Sequence, residues 1–142
     1  MEKPMIFIID DDPDMVEATR VMLEAKGYRV SAADDYSAGL AKIREVKPDL
    51  IILDAMLMLN DKSGLQLPTE VRKDPSVAHI PILMITAINE GNSGEEFSPG
   101  IEDANLPIDG FLNKPALPEE LYRRIEALLK LKTSKWAVKF RK

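Results

Sequence analysis

Residues 5–14 read MIFIIDDDPD, and this stretch determines how the rest of the chain is interpreted. Five apolar residues, three of them isoleucine, form a run typical of a buried β-strand. Three aspartates, Asp10, Asp11 and Asp12, follow the run directly, and Pro13 comes next. Asp12 and Pro13 suit the N-cap and the first turn of a helix, because an aspartate side chain accepts backbone N–H groups there and proline has none to satisfy. One helix needs one cap, so Asp10 and Asp11 require another explanation.

Further apolar runs recur at wide spacing, at residues 28–33, 50–53, 80–85 and 108–112. Segments with helical periodicity lie between several of them, at residues 14–26, 37–47 and 118–131. In the first segment the pattern predicts a buried side formed by Met15, Ala18, Val21, Met22 and Ala25. Strands that alternate with helices predict an α/β fold, a doubly wound parallel sheet of five strands with helices on both faces.

The composition excludes several classes of site. The chain has no cysteine, which rules out disulfides, thiol catalysis and cysteine-based zinc sites. His79 is the single histidine, so a metal site with several histidines is also ruled out. No apolar run is long enough to span a membrane, and we expect a cytoplasmic protein.

The net charge of −5 is unevenly distributed. Residues 130–142 carry six basic residues and no acidic one, which leaves the preceding part of the chain strongly acidic. An acidic body argues against direct nucleic-acid binding.

Polar side chains stand at the predicted strand ends: Asp10 and Asp11, then Asp54, Thr86 and Lys114. The carboxyl ends of parallel strands meet at one edge, where open α/β sheets bind ligands. Clustered carboxylates repel one another, and Mg²⁺, which prefers oxygen ligands, removes that repulsion. A lysine and a hydroxyl beside them suit a phosphoryl group. We therefore expect a magnesium site in which Asp54 is the nucleophile that accepts a phosphoryl group.

Four fragments carry a family resemblance: IFIIDDDPD (6–14), PDLIILDAM (48–56), IPILMITA (80–87) and FLNKP (111–115). In this order and spacing they resemble the receiver domain of bacterial two-component response regulators. The resemblance implies the strand order 2-1-3-4-5 with five flanking helices. It also implies that a sensor histidine kinase or phosphotransfer protein transfers a phosphoryl group to Asp54, and that the chain catalyses only its own phosphorylation and dephosphorylation.

The resemblance assigns further roles. Asp11 matches a direct Mg²⁺ ligand, Asp10 a ligand acting through water, and Met56 a backbone carbonyl ligand, and the acceptor Asp54 belongs to the same metal site. Thr86 and Lys114 match the hydroxyl and the ammonium that bind the new phosphoryl group. Thr86 and Phe111 match the residues that switch conformation and signal to a downstream protein or output domain, with homodimerisation left open.

Two segments depart from the family pattern, the loop after Asp54 at residues 55–64 and the segment 88–107. Residues 88–107 contain three glycines and two prolines, so the helix expected there is predicted to be short or irregular. We expect a receiver domain at residues 1–131 and a basic tail or linker at residues 132–142. Trp136 and Phe140 in that tail could instead contact a partner.

Simpler structural roles and two other functions remain open. Thr86 could be an ordinary strand residue, Phe111 a packing residue and Lys114 a surface residue. A phosphatase of the haloacid-dehalogenase type would also use aspartates after the first strand, although Asp14 stands where that family has threonine or valine. The other alternative is a receiver-like module that binds partners without phosphorylation.

Overall fold

The computed structural model describes residues 3–54, 66–86, 107–113, 117–131 and 133–134, without the side chains of Thr86, Phe111 and Asn113. The elements in these ranges are, in order, β1 (Met5–Ile9), α1 (Pro13–Ala25), β2 (Arg29–Ala33), α2 (Tyr36–Val46), β3 (Leu50–Asp54), α3 (Leu67–Lys73), β4 (Ile82–Thr86), β5 (Gly110–Asn113) and α4 (Pro118–Leu131).

The strands form one parallel sheet in the order β2-β1-β3-β4-β5. The predicted fold class and strand order are therefore confirmed. Ile9 pairs with Leu53, and Asp54 pairs with Ile85 of β4. The carboxyl ends of β1 and β3 consequently lie side by side, and each is followed or ended by aspartate.

Alternate residues of each strand face opposite sides of the sheet, because side chains in a strand have a period of two. Phe7 and Ile9 pack with residues of α2 and α3 on one side. Ile6 and Ile8 pack with Leu23 of α1 and with α4 on the other. Two hydrophobic cores thus sandwich the sheet, as expected for strands that are apolar at nearly every position.

The predicted buried side of α1 is wrong in part. The buried residues of this helix are Thr19 and Leu23, with Met22 partly buried beside them, whereas Val21 is 57 % exposed. The buried face of α1 is rotated relative to the predicted one because Thr19 faces the sheet. A pattern built from apolar residues does not count threonine as a buried position. The helix predicted at residues 118–131 is confirmed as α4, whose buried residues are Leu121, Ile125 and Leu128.

Several sequence predictions fall wholly or partly outside the described residues. The segment 88–106 is among them, so the predicted irregular helix stays a prediction, as does the division of the chain at residue 131. Ser134, within the predicted tail, is 1 % exposed and its N–H donates to the carbonyl oxygen of His79 at 2.7 Å. Among the helices described, none combines the length and apolar character needed to cross a membrane.

Candidate functional site

Three aspartates meet at the carboxyl ends of β1 and β3. Asp10 follows β1 and Asp54 ends β3; they are 5 % and 6 % exposed, while Asp11 is exposed to solvent. One carboxylate oxygen from each lies within 4.8 Å of the other two. The parallel register that places Ile9 beside Leu53 produces this convergence, since Asp10 and Asp54 are the next residues after that pair and Asp11 follows Asp10.

Asp12 has a different role from its two neighbours. Its Oδ1 accepts the backbone N–H groups of Asp14 at 3.0 Å and Met15 at 3.3 Å, which makes it the N-cap of α1. Pro13 occupies the first turn. Asp12 also donates its own N–H to Oδ1 of Asp10 at 3.0 Å. The predicted cap is confirmed, and the cap residue also orients one carboxylate of the cluster.

The surroundings of the cluster make its charge costly. A cavity of about 140 Å³ adjoins Asp10 and Asp54, and its other lining residues, Thr19 apart, are apolar ones such as Met22, Ile52 and Leu121. Two carboxylate charges separated by 4.8 Å repel by about 3 kcal/mol at an effective dielectric constant of about 20. A cation therefore stabilises the cluster, and three carboxylate oxygens this close could hold a metal ion.

The structure gives no side-chain positions for the other predicted site residues. Met56 and Lys114 lie outside the described residues. Thr86 and Phe111 are placed as backbone, at the end of β4 and within β5. Thr86 pairs with Asn113 in the sheet, so the residue before Lys114 and the end of β4 are neighbours.

One residue at the site was missed by the sequence analysis. Tyr36, the first residue of α2, is 3 % exposed, and its hydroxyl donates a hydrogen bond to the backbone carbonyl oxygen of Asp54 at 3.2 Å. The only signal available in the sequence is the position of Tyr36 after the capping residue Asp35. That signal marks a helix start but does not reveal what the side chain contacts.

The family comparison agrees with this fold. A family model described as the response regulator receiver domain matches residues 6–126. The chain is 37 % identical over 127 residues to the DNA-binding dual master transcriptional regulator RpaA of Synechocystis sp., covering 89 % of this chain and 49 % of that protein. It is 36 % identical over 125 residues to the phosphate regulon transcriptional regulatory protein PhoB of Pseudomonas aeruginosa, covering 88 % and 51 %. The chain thus spans about half the length of these curated relatives.

Solved structures point to the same fold. A response regulator receiver domain protein (CheY-like) from Methanospirillum hungatei superposes with a TM-score of 0.78 at 26 % identity, covering 92 % of this chain and 97 % of that one. The chemotaxis response regulator CheY4 of Vibrio cholerae gives a TM-score of 0.73 at 26 % identity, covering 89 % and 98 %.

These relatives are regulators and not classical enzymes, so neither the phosphatase nor the phosphorylation-independent module is favoured. The family match covers most of the chain, and the sheet order and the acidic cluster agree with it. The chain belongs to the response regulator receiver domain family, and its function is that of a receiver in the phosphorylation-based signalling of two-component systems.

Proposed function

We propose that Asp54 accepts a phosphoryl group from a phosphohistidine, and that Asp10 and Asp11 hold the Mg²⁺ that this transfer needs. The observation that carries the proposal is the convergence of these three carboxylates at the ends of β1 and β3. Asp54 is the acceptor because it ends a strand whose residues are all buried, which fixes its backbone, while Asp10 and Asp11 lie together on the neighbouring connection.

The donor set fits Mg²⁺. All three groups offer carboxylate oxygens, which are ligands that Mg²⁺ prefers, and the ion typically takes one or two protein carboxylates and keeps several waters. Ligands about 2.1 Å from one ion lie at most about 4.2 Å apart. The three oxygens lie within 4.8 Å of one another, a spacing that leaves room for one carboxylate to act through water. Asp11, the exposed member, would be a direct ligand and Asp10 would act through water, while Asp54 and the Met56 carbonyl would complete the protein ligands.

The transfer itself is a nucleophilic displacement at phosphorus. A carboxylate oxygen of Asp54 forms a bond to phosphorus as the P–N bond of the phosphohistidine breaks, and the electron pair leaves with the imidazole nitrogen. Mg²⁺, when bound, offsets the negative charge of the phosphoryl oxygens. Later hydrolysis releases inorganic phosphate and restores the carboxylate, so the chain catalyses only its own phosphorylation and dephosphorylation.

The conformational output depends on residues beyond the cluster. Lys114 pairs with the phosphoryl group, the Thr86 hydroxyl moves to bind it, and Phe111 changes position in response. The backbone neighbourhood of Thr86 and Asn113 supports this, because it brings the two strand ends concerned together.

The proposed partners are those that the family suggests for the whole protein. The phosphodonor is a sensor histidine kinase or a phosphotransfer protein in the cytoplasm, and the signal passes to a downstream protein or an output domain, with a homodimer as one form of output. The curated relatives are named as DNA-binding or transcriptional regulators, so the proposed lack of direct nucleic-acid binding applies to this chain alone.

The test is phosphorylation by acetyl phosphate with Mg²⁺, followed by intact-mass measurement. We expect the wild-type chain to gain the mass of one phosphoryl group, Asp54→Ala to gain none, and Asp11→Ala to lose the Mg²⁺-dependent reaction. Asp34→Asn is the matched control, because Asp34 is exposed and lines the same cleft as Asp10 and Asp11 but is not one of the three clustered acids.

The control variant should be labelled like the wild type. If Asp54→Ala were labelled, another residue would be the acceptor. Absence of labelling with every small phosphodonor tried would contradict the proposal and favour a module that works without phosphorylation.

A further inference from the structure

The proposed function does not explain the hydrogen bond between Tyr36 and the backbone of Asp54. The Tyr36 hydroxyl donates to the carbonyl oxygen of Asp54 at 3.2 Å in a buried environment. That carbonyl belongs to the peptide that joins the last residue of β3 to residue 55. The bond therefore acts where the chain leaves the strand.

The local sequence explains how Tyr36 reaches this peptide. Asp35 caps α2, with its Oδ1 accepting the backbone N–H of Ala38 at 2.7 Å, and this cap makes Tyr36 the first helical residue. One turn later Gly39 lets the helix lie close to β1. A Cβ at Gly39 would stand 2.9 Å from Cδ1 of Ile9, a distance that side chains do not tolerate without moving.

The sheet register shows why this peptide benefits from support. On the side of β1, the pairing with β3 ends at Ile9 and Leu53, one residue before Asp54. On the other side, Asp54 still pairs with Ile85 of β4. The Tyr36 hydroxyl thus binds β3 one residue beyond the point where its pairing with β1 stops.

We propose that Tyr36 is a positioning residue for phosphorylation: its hydroxyl fixes the last peptide of β3 and thereby the orientation of the Asp54 carboxylate toward Asp10 and Asp11. This inference rests on the proposed role of Asp54 as acceptor and adds a residue that does not touch the phosphoryl group.

Packing alone would not need the hydroxyl. The Tyr36 ring belongs to the hydrophobic core that includes Ile43 and Leu67, and a phenylalanine ring would fill the same space. The substitution Tyr36→Phe therefore separates the two roles, because it keeps the packing and removes the donor. A role in packing predicts an unchanged rate of phosphorylation, and a positioning role predicts a slower one.

The chain offers a matched control. Tyr122 in α4 also donates its hydroxyl to a backbone carbonyl, that of Met22 in α1, at 2.9 Å. This bond joins two helices and does not involve an aspartate of the cluster. Tyr122→Phe therefore removes the same chemical group from the same kind of hydrogen bond at a place where phosphorylation should be insensitive to it.

The experiment compares the wild type, Tyr36→Phe and Tyr122→Phe. For each protein it measures the rate of labelling by acetyl phosphate at saturating Mg²⁺ and the Mg²⁺ concentration that gives half of that rate. It also measures the midpoint of urea unfolding. We expect Tyr36→Phe to lower the saturating rate by roughly three- to tenfold, the effect of losing one net hydrogen bond in the transition state. Tyr122→Phe should stay within about 1.5-fold of the wild type, because its hydrogen bond lies outside the machinery that sets the rate.

The outcomes are distinguishable. Equal saturating rates for the two variants, with both proteins folded, would overturn the role of Tyr36 and leave Asp54 as acceptor. A wild-type chain that takes no label would overturn the proposed function and the role of Tyr36 with it. A rate loss confined to Tyr36→Phe, whatever the two unfolding midpoints are, supports positioning.

Discussion

Replacing Arg72 with methionine is expected to lower the free energy of unfolding by about 3–5 kcal/mol. Arg72 in α3 has a fully buried side chain, and its Nη2 lies 2.7 Å from Oδ2 of Asp109, whose side chain is 2 % exposed. Its other guanidinium nitrogens donate to three backbone carbonyl oxygens, those of Ala78, Ile80 and Pro107. Asp109 in turn accepts the N–H of Ile82 at 2.9 Å and the hydroxyl of Ser134 at 2.7 Å.

The magnitude follows from what the substitution leaves behind. Burial lowers the pKa of Arg72 and the neighbouring Asp109 carboxylate opposes that change, so the guanidinium stays charged and paired in the folded protein. Methionine would leave Asp109 as a buried carboxylate without its cation, and three carbonyl oxygens without their donor. Removing one partner of a buried ion pair typically costs about 3–5 kcal/mol, far more than the pair itself contributes over an apolar replacement.

The assay is urea unfolding, with Arg44→Met as the matched control. Arg44 makes an ion pair of the same kind, Nε to Oδ2 of Asp74 at 2.9 Å, but the two side chains are 47 % and 22 % exposed. Exposed pairs contribute about 0–1 kcal/mol. With a slope of about 2 kcal/mol per molar urea, Arg72→Met should lower the midpoint by about 2 M and Arg44→Met by less than about 0.5 M.

Similar shifts for the two variants would refute the reasoning, as would a loss below about 1 kcal/mol at Arg72. If Arg72→Met does not fold, Ser134→Ala tests the same network more gently. It removes one hydroxyl donor from the Asp109 carboxylate and should cost about 1.5–3 kcal/mol.

Two further predictions concern capping and pH. Asp12→Ala should lower stability by about 1 kcal/mol in urea unfolding while phosphorylation of Asp54 persists, because Asp12 caps α1; loss of phosphorylation would instead give Asp12 a share in the metal site. Hydrogen bonds from the Ser76 hydroxyl and N–H, with a contribution from Arg44, hold the pKa of Asp74 below its ordinary value of 3.8. The stability that Asp74 contributes is therefore present above pH 3.8 and is lost as the pH falls through its lower pKa in the folded protein. Asp74→Asn should therefore reduce the loss of unfolding free energy at acid pH, measured by urea unfolding across a pH series. An unchanged pH dependence would contradict this.

The fold and the acidic cluster could be predicted because their signals are local. The buried strands β1, β3 and β4 are mainly runs of adjacent apolar residues. Asp54 ends β3, and Asp10 and Asp11 are the first two residues after β1, so parallel pairing brings the three acids together. The capping role of Asp12 is local in the same sense, because its partners are two and three residues away.

Tyr36 and Arg72 could not be predicted because their partners are distant in the chain. Tyr36 bonds to a residue 18 positions away, and Arg72 pairs with one 37 positions away. Arginine is also a residue that is normally exposed, so nothing in the sequence marks Arg72 as part of a core. These contacts appear only once the fold has brought the start of α2 beside the end of β3 and α3 beside the start of β5.

The two unpredicted residues act at opposite ends of the sheet. Tyr36 supports the carboxyl end, where Asp54 lies, whereas the Arg72 network joins the amino ends of β4 and β5 and includes Ser134. A five-residue strand such as β4 spans about 13–17 Å. Ser134, three residues after the end of α4, is therefore bound at the end of the sheet opposite Asp54. Tyr36→Phe should therefore mainly slow phosphorylation, whereas Arg72→Met should mainly lower the free energy of unfolding, because the two residues act at opposite ends of the sheet.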